Sequence, residues 1–204
     1  MEDLVLTVLM YVSSRFERGR IFFVEDLEET GIPSDELRVV LSRIVNAGPD
    51  VVRLARGVYC YPYVTSGARV LLPSDAEVAD ALAARWRVRI APCGAQAAYL
   101  AGFTSLCVAP LVFVSNGSYQ VFNLQGGRQI VFRRRKSNKV FFFWSDVMRN
   151  LVEGLRWVGK ERVGDREYVV VADNLVKVSR EDFEHDLKLA PLWIREILRV
   201  VAMS

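Results

Sequence analysis

The first 62 residues alternate between helical and β-prone patterns in an order that few folds share. Apolar residues at helical spacing predict an amphipathic helix over residues 3–16, and a short β-prone stretch follows at residues 20–23. A short helical stretch over residues 24–30 ends at Gly31. The next helix opens at Ser34, which is a good N-cap, and its apolar stripe continues until a Gly-Pro pair ends it.

Two further β-prone stretches, at residues 51–54 and 57–61, follow this third helix and predict a hairpin. The order helix, strand, helix, tight turn, helix and hairpin is typical of a winged helix-turn-helix, in which the hairpin forms the wing. We therefore expect residues 1–65 to form such a domain, with its third helix in the major groove of DNA.

The outward face of the third helix carries side chains that suit base recognition. Arg38 and Arg43 can bind guanine edges or phosphates. Asn46 can pair with adenine, and Ser42 is small enough to let the helix approach the bases. The wing would present cations to the phosphate backbone. The candidate DNA-binding residues from this reasoning are Arg38, Ser42, Arg43, Asn46, Arg53 and Arg56, with Arg69 as a further wing cation.

Acidic residues on the preceding short helix argue in the other direction. Four carboxylates stand there, at Glu25, Asp26, Glu28 and Glu29. They would repel DNA if they faced it, so they are compatible with binding only if they face away. Winged helices also serve as protein-docking modules. A protein-interaction module without specific DNA binding is therefore the alternative interpretation.

Residues 62–73 are rich in turn formers and predict the connection between two domains. Residues 73–204 then predict a larger mixed α/β domain, which opens with a capping box formed by Ser74 and Glu77. The expected fold class is α+β, with an antiparallel sheet in this second domain. Its predicted helices cover residues 74–85, 94–102, 146–158, 180–189 and 191–202, and Ser145 is the predicted N-cap of the helix over 146–158. Its predicted strands cover residues 86–91, 111–115, 119–124 and 128–135, with 139–144 as a possible further strand and 168–172 ambiguous between strand and helix. Asn116-Gly117 and Gly126-Gly127 are predicted hairpin turns.

Positive charge is concentrated in the middle of the chain. Residues 72–144 carry nine basic and three acidic side chains, a net charge of +6, whereas the whole chain has a net charge of +3. The densest cluster is Arg133, Arg134, Arg135 and Lys136. It can contact nucleic acid or an acidic partner. Equally, it can be a solvated strand end whose cations discourage edge-to-edge aggregation.

Signatures of catalysis are scarce. The chain has no phosphate-binding glycine loop, no nucleophile elbow and no zinc-protease motif. Its single histidine, His185, is expected to be solvated, and the three cysteines at 60, 93 and 107 are expected to be reduced and mostly buried rather than metal ligands. We expect a non-enzyme without cofactor or metal, and a soluble cytoplasmic protein, because neither a signal peptide nor a membrane span is visible.

Several segments resemble the AbiEi-like antitoxins of type IV toxin–antitoxin (abortive infection) systems. Residues 56–62, Arg-Gly-Val-Tyr-Cys-Tyr-Pro, are similar to the end of that family's wing, and residues 90–103 are similar to its glycine- and alanine-rich stretch. Later landmarks fall in residues 114–118, 130–133 and 190–194. Departures are Cys60 for an aromatic residue, Tyr99 for asparagine, and the acidic patch at residues 25–29.

The resemblance implies a transcriptional autorepressor that binds inverted repeats upstream of its own operon. It also implies an antitoxin that neutralises a nucleotidyltransferase-like toxin, with the second domain tied to that activity. Of the candidate DNA-binding residues, Arg56 matches the family motif, and the motif adds Gly57. A third hypothesis, a nuclease-like or nucleotide-processing enzyme, has no visible site to support it.

Overall fold

The structure, a computed structural model, describes residues 2–106 and 109–203. Its elements are those of a mixed, α+β fold, which confirms the expected class. The chain divides into two units. Unit 1 comprises the residues up to Leu82 together with Phe122–Arg128. Unit 2 comprises Ala83–Val121 and the residues from Gln129 onward. No helix among the described residues is long and apolar enough to cross a membrane.

Unit 1 contains helices packed on a small antiparallel sheet. The strand order in this sheet is β1-β3-β2, and both neighbouring pairs run antiparallel. A separate two-stranded sheet, β4-β5, follows it in the chain. The elements are α1 (Glu2–Arg15), β1 (Ile21–Phe23), a 3-10 helix (Val24–Thr30), α2 (Ser34–Ala47), β2 (Val52–Ala55), β3 (Val58–Cys60), β4 (Tyr63–Val64), β5 (Val70–Leu71) and α3 (Asp75–Arg85), the last of which ends in unit 2.

The 3-10 helix and α2 form where local chemistry dictates. The Asp26 carboxylate accepts a hydrogen bond from the Phe23 backbone N–H at 2.7 Å, which fixes the start of the 3-10 helix. Gly31, at φ 72°, ends it in the left-handed region that favours glycine. The prediction that Ser34 caps α2 is wrong: Pro33 takes the N-cap position and Ser34 is the first helical residue. Proline's fixed φ and the absence of a donor suit that boundary.

Residues 122–128 are far from unit 1 in sequence yet belong to it. Ala55 of β2 forms an antiparallel bridge with Leu124, whose side chain is buried. Arg128 also binds Asp75, at 2.6 Å between Nη1 and Oδ1. The connection between β8 and β9, which contains the predicted turn at Gly126-Gly127, therefore bridges to the edge of the first sheet at β2.

Unit 2 combines a four-stranded sheet with five α-helices among its described residues, α4 to α8, and also contains the end of α3. The strand order is β6-β7-β9-β8, with β6 antiparallel and β9 parallel to β7, so the sheet is mixed and the prediction of an antiparallel sheet is only partly right. The chain leaves unit 2 within β8. The further elements are β6 (Ile90–Pro92), α4 (Ala95–Ala101), β7 (Leu111–Ser115), β8 (Gln120–Asn123), β9 (Gln129–Arg134), α5 (Asp146–Val158), α6 (Asp165–Leu175), α7 (Arg180–Leu187), α8 (Leu192–Ala202), and 3-10 helices at Gln125–Gly127, Lys139–Phe141 and Lys160–Arg162.

The predicted hairpin at Asn116-Gly117 is wrong, because β7 pairs with β9 and β6 instead. The turn has another role. The Asn116 side-chain oxygen accepts the Arg89 N–H at 2.8 Å, and a Cβ at Gly117 would lie 2.7 Å from Val88. Asn116 and Gly117 therefore extend the pairing of β7 toward the residues before β6.

Two more predicted strands differ from the structure, and the ambiguous segment is resolved. Residues 139–144 contain a 3-10 helix rather than a strand, with Val140 and Phe141 buried. Residues 86–89 lie outside β6, and Arg87 has φ 53°, which is incompatible with an extended strand. Residues 168–172 are helical and belong to α6. The predicted caps at Ser74 and Ser145 are confirmed, each accepting a hydrogen bond from the backbone N–H three residues later.

Helices α4 and α5 approach each other closely because small residues line their contact. A Cβ added at Gly154 would lie 2.7 Å from the Phe103 ring and 3.2 Å from the Ala98 Cα. We predict that Gly154→Ala lowers the free energy of unfolding by about 1–3 kcal/mol, since overpacking outweighs the helix propensity gained. Urea denaturation measures this. Gly67→Ala, which meets open space, is the control. A Gly154→Ala protein as stable as the wild type would contradict this packing.

Candidate nucleic-acid interface

A groove of about 600 Å³ opens in unit 1 between α2 and the β2–β3 hairpin. Side chains from both elements line it, together with residues of the 3-10 helix and the segment after β8. Six of the eight candidate DNA-binding residues are among them. The groove is lined by Val24, Glu25, Arg38, Ser42, Val45, Asn46, Arg53, Arg56, Gly57, Tyr59 and Gln125.

The periodicity of α2 presents its polar side chains to this groove. Leu37, Val40, Leu41 and Ile44 are buried in the core of unit 1. Residues 38, 42 and 46 are spaced four apart, so they share an outward face of the helix. Arg38 donates a hydrogen bond to the exposed Asp35 at 3.0 Å. Such an exposed ion pair is weak, so a stronger anion can replace Asp35.

The β2–β3 hairpin supplies the other cations. Arg53 lies opposite Tyr59 in the antiparallel register, and its Nε donates to the Ala55 carbonyl at 3.3 Å. Arg56 and Gly57 form the tight turn, where Gly57 has φ 75°. Glycine takes this left-handed conformation without steric cost, so the motif residue Gly57 shapes the turn that carries Arg56.

Tyr59 shows that the two sets of cations converge. Its side chain is buried. Burial raises the pKa of the Tyr59 hydroxyl, while the guanidinium groups of Arg53 and Arg38 act in the opposite direction. One arginine comes from the hairpin and the other from α2, and both lie near enough to influence the same group.

Two predicted basic contacts lie outside the groove lining. Arg43 is exposed on a neighbouring face of α2. Arg69 is exposed in the connection between β4 and β5. Helical geometry explains the first case, because Arg43 is one position after Ser42 and therefore about 100° around the helix from it.

The carboxylates in the acidic patch of the 3-10 helix make different contacts. Glu29 accepts hydrogen bonds from Arg15 at 3.2 Å and from the Tyr11 hydroxyl at 3.1 Å, so it is engaged with α1. Asp26 caps its own helix. Glu25 alone of the four carboxylates lines the groove, as do three arginines. The charged lining residues therefore sum to three positive and one negative, a net of +2.

The basic cluster of the second domain separates into distinct roles. Arg135 donates two hydrogen bonds to the buried Glu153, each 2.7 Å long. Arg133 and Arg134 are exposed and line a second pocket, in unit 2, whereas Lys136 is exposed and outside its lining. Sequence reasoning missed Glu153, because a carboxylate on a helix is normally solvated.

The single histidine and the two described cysteines are packed against other residues of the fold. The prediction of a solvated His185 is only partly right: its side chain is 31% exposed, its ring stacks on Trp144 with 3.8 Å between centroids, and its Nδ1 lies 2.8 Å from Asp186. Cys60 and Cys93 are buried free thiols, and burial raises the pKa of each to about 11. Such thiols are unreactive. Cys107 lies outside the described residues.

A comparison with protein families identifies the family to which this chain belongs. A search of the curated proteins returns no match. Residues 10–183 match the Family of unknown function (DUF6088), so the match spans unit 1 from the middle of α1 and unit 2 as far as α7. The chain belongs to the DUF6088 family.

Proposed function

We propose that unit 1 is a winged helix-turn-helix domain that binds DNA. The order of α1, β1, the 3-10 helix, α2 and the β2–β3 hairpin supports this, as does the antiparallel sheet β1-β3-β2. In this arrangement α2 is the recognition helix and the hairpin is the wing.

The observation that carries the proposal is the shared groove of α2 and the hairpin. Arg38, Arg53 and Arg56 reach it from two elements that are separate in sequence. Ser42 and Asn46 add hydrogen-bonding groups along the same helix face. A recognition surface for DNA needs both parts: base-reading side chains on a helix and cations beside it for the backbone.

Each group has a distinct task in such a complex. Arg38 exchanges Asp35 for a guanine edge or a phosphate, and Asn46 pairs with adenine. Arg53 and Arg56 neutralise backbone phosphates and fix the register of the helix on the duplex. Glu25 accepts a hydrogen bond from a cytosine amino group or repels phosphate, so it selects the docking orientation.

The wider role that we propose is that of a cytoplasmic autorepressor and antitoxin without catalytic activity. Support comes from the resemblance of residues 56–62 and 90–103 to AbiEi-like antitoxins. On that basis the operator contains inverted repeats, and the protein partner is a nucleotidyltransferase-like toxin. The gene beside this one is then expected to encode that toxin.

The groove arginines provide the test. We predict that the double variant Arg53→Ala, Arg56→Ala weakens binding to the DNA upstream of its own gene by about 100-fold, since two phosphate contacts are lost. Fluorescence anisotropy at fixed, moderate salt measures this. Arg15→Ala is the matched control, because it removes an exposed guanidinium that is paired with Glu29 outside the groove.

Two results would overturn this reading. One is an absence of DNA affinity in the wild-type protein. The other is an equal loss in the Arg15→Ala control. Co-purification with the product of the adjacent gene, together with no DNA affinity, would instead favour the alternative of a pure protein-interaction module. The position of Glu25 in the groove is the observation that favours that alternative.

A further inference from the structure

A pocket of about 560 Å³ lies within unit 2, lined by the residues after β6, by β7, by the end of β9 and by the helices α4 and α5. We infer that this pocket binds a nucleoside phosphate, with arginines on the phosphate groups, Trp157 on the base and Gln96 on a ligand N–H or O–H donor. The inference concerns unit 2 alone and does not depend on DNA binding by unit 1.

The charge of the lining calls for an anion. Four guanidinium groups line the pocket, against the single carboxylate of Glu153, which leaves a net charge of +3. Arg156 lies 3.4 Å from that carboxylate. Arg133 and Arg134 have no carboxylate partner among the described residues, and neither is buried. Guanidinium groups bind phosphate oxygens in pairs, so a phosphate group satisfies this arrangement.

Part of the site is already held in place. Glu153 is 3% exposed and receives both hydrogen bonds of Arg135 at 2.7 Å. This pair fixes one guanidinium plane at the pocket wall, next to Arg133 and Arg134 at the end of β9. A site that is organised before the ligand arrives loses less entropy on binding.

Gln96 supplies an independent sign of a ligand. This side chain is 7% exposed and lines the pocket, and its Oε1 has no hydrogen-bond partner among the described residues. A buried acceptor without a donor is unfavourable. A phosphate alone cannot satisfy it, whereas the hydroxyl groups of a ribose or the amino groups of a base can.

Trp157 provides a surface for a base. It lines the pocket and is 43% exposed, so part of its surface is open to a ligand. Bases stack on such rings irrespective of their identity. The pocket volume falls within the range of about 300–1,000 Å³ that small ligands occupy. A mononucleotide therefore fits the combination of four arginines, a buried amide and an open indole.

Titration calorimetry at low salt tests the inference with ATP, GTP and inorganic triphosphate as probes. We expect one nucleotide per chain. The double variant Arg133→Ala, Arg134→Ala is expected to weaken nucleotide binding by at least about tenfold. Lys136→Ala is the matched control, because it removes a neighbouring exposed cation that does not line the pocket, and we expect less than about a twofold change. Thermal unfolding of each variant verifies that it is folded.

A second readout tests the stacking. Nucleotide is expected to quench the fluorescence of the wild-type protein, and Trp157→Phe is expected to remove that quenching while the chain keeps its other tryptophans. No saturable nucleotide binding, or an equal loss in Lys136→Ala, would overturn the inference. So would inorganic triphosphate that binds as tightly as ATP, or a 5′-phosphorylated single strand that binds where mononucleotides do not. Nucleotide binding that survives Arg53→Ala in unit 1 separates this result from the test of DNA binding.

Discussion

Arg135→Ala is expected to lower the free energy of unfolding by about 3 kcal/mol, because it leaves the carboxylate of Glu153 buried without its main partner. Glu153 is 3% exposed, and two of its hydrogen bonds come from Arg135. Removal of one partner from a buried pair costs more than the pair itself contributes, since the remaining charge cannot recover its hydration. The Nε of Arg156, 3.4 Å away, replaces only part of that interaction.

A double variant separates the charge effect from lost packing. Arg135→Met combined with Glu153→Leu removes both charges and keeps similar side-chain volumes. We expect it to recover most of the stability, because apolar replacements of buried pairs are often neutral. Urea denaturation of Arg135→Met, of Glu153→Leu and of the double variant gives the coupling energy between the two side chains. Arg134→Ala, which removes an exposed neighbouring charge, is expected to change stability by less than about 0.5 kcal/mol. A similar loss in Arg134→Ala and Arg135→Ala would contradict the role given to Glu153.

Asp186→Ala is expected to be nearly as harmful, at about 3 kcal/mol, since it removes the acceptor of several hydrogen bonds. The Asp186 side chain has no exposed surface. Its two oxygens accept the backbone N–H groups of Trp144 and Ser145 at 2.8 and 2.9 Å. They thereby attach α7 to the residues that begin α5. Without the carboxylate, two backbone donors lose their partner in the interior.

The matched control for Asp186 is its exposed neighbour on the same helix. Glu184→Ala removes the same charge from α7 without a buried acceptor, and we expect a change within about 0.5 kcal/mol. Asp186→Asn keeps one acceptor oxygen and is expected to fall between the two. Thermal and urea unfolding of the three variants measure the order. Equal stability of Asp186→Ala and Glu184→Ala would show that these hydrogen bonds contribute nothing.

Helices could be predicted well because their signals are local. The apolar stripe of α2 and the caps at Ser74 and Ser145 are properties of neighbouring residues, and they fixed both the existence and the direction of those helices. The same periodicity placed Arg38, Ser42 and Asn46 on one outward face, which is the face that lines the groove.

Strand pairing could not be predicted to the same extent, because it depends on residues far apart in the chain. Asn116-Gly117 carries a strong hairpin signal. In the structure, however, the Asn116 side-chain oxygen accepts a hydrogen bond from Arg89, and Gly117 leaves room for Val88 because it has no side chain. The parallel pairing of β7 with β9 and the bridge of Leu124 to Ala55 have no local signature. Contacts between residues far apart in the chain determine both the β7–β9 pairing and the Leu124–Ala55 bridge.

The candidate sites show the same difference between features with local sequence signals and features that depend on long-range contacts. The sequence predicts that Arg53 and Arg56 lie on the wing, but only the fold shows that they share a groove with α2. Glu153 and Gln96 were missed because a polar residue in a helix is solvated unless its partners are known.

The salt dependence of DNA binding tests the central claim most directly. If α2 and the wing bind the duplex, the logarithm of the affinity for the upstream DNA falls linearly with the logarithm of salt concentration. The loss of Arg53 and Arg56 is then expected to reduce the magnitude of that slope by about two, one for each phosphate contact. A wild-type affinity that does not change with salt, or a slope that is unchanged in the double variant, would contradict a DNA-binding groove.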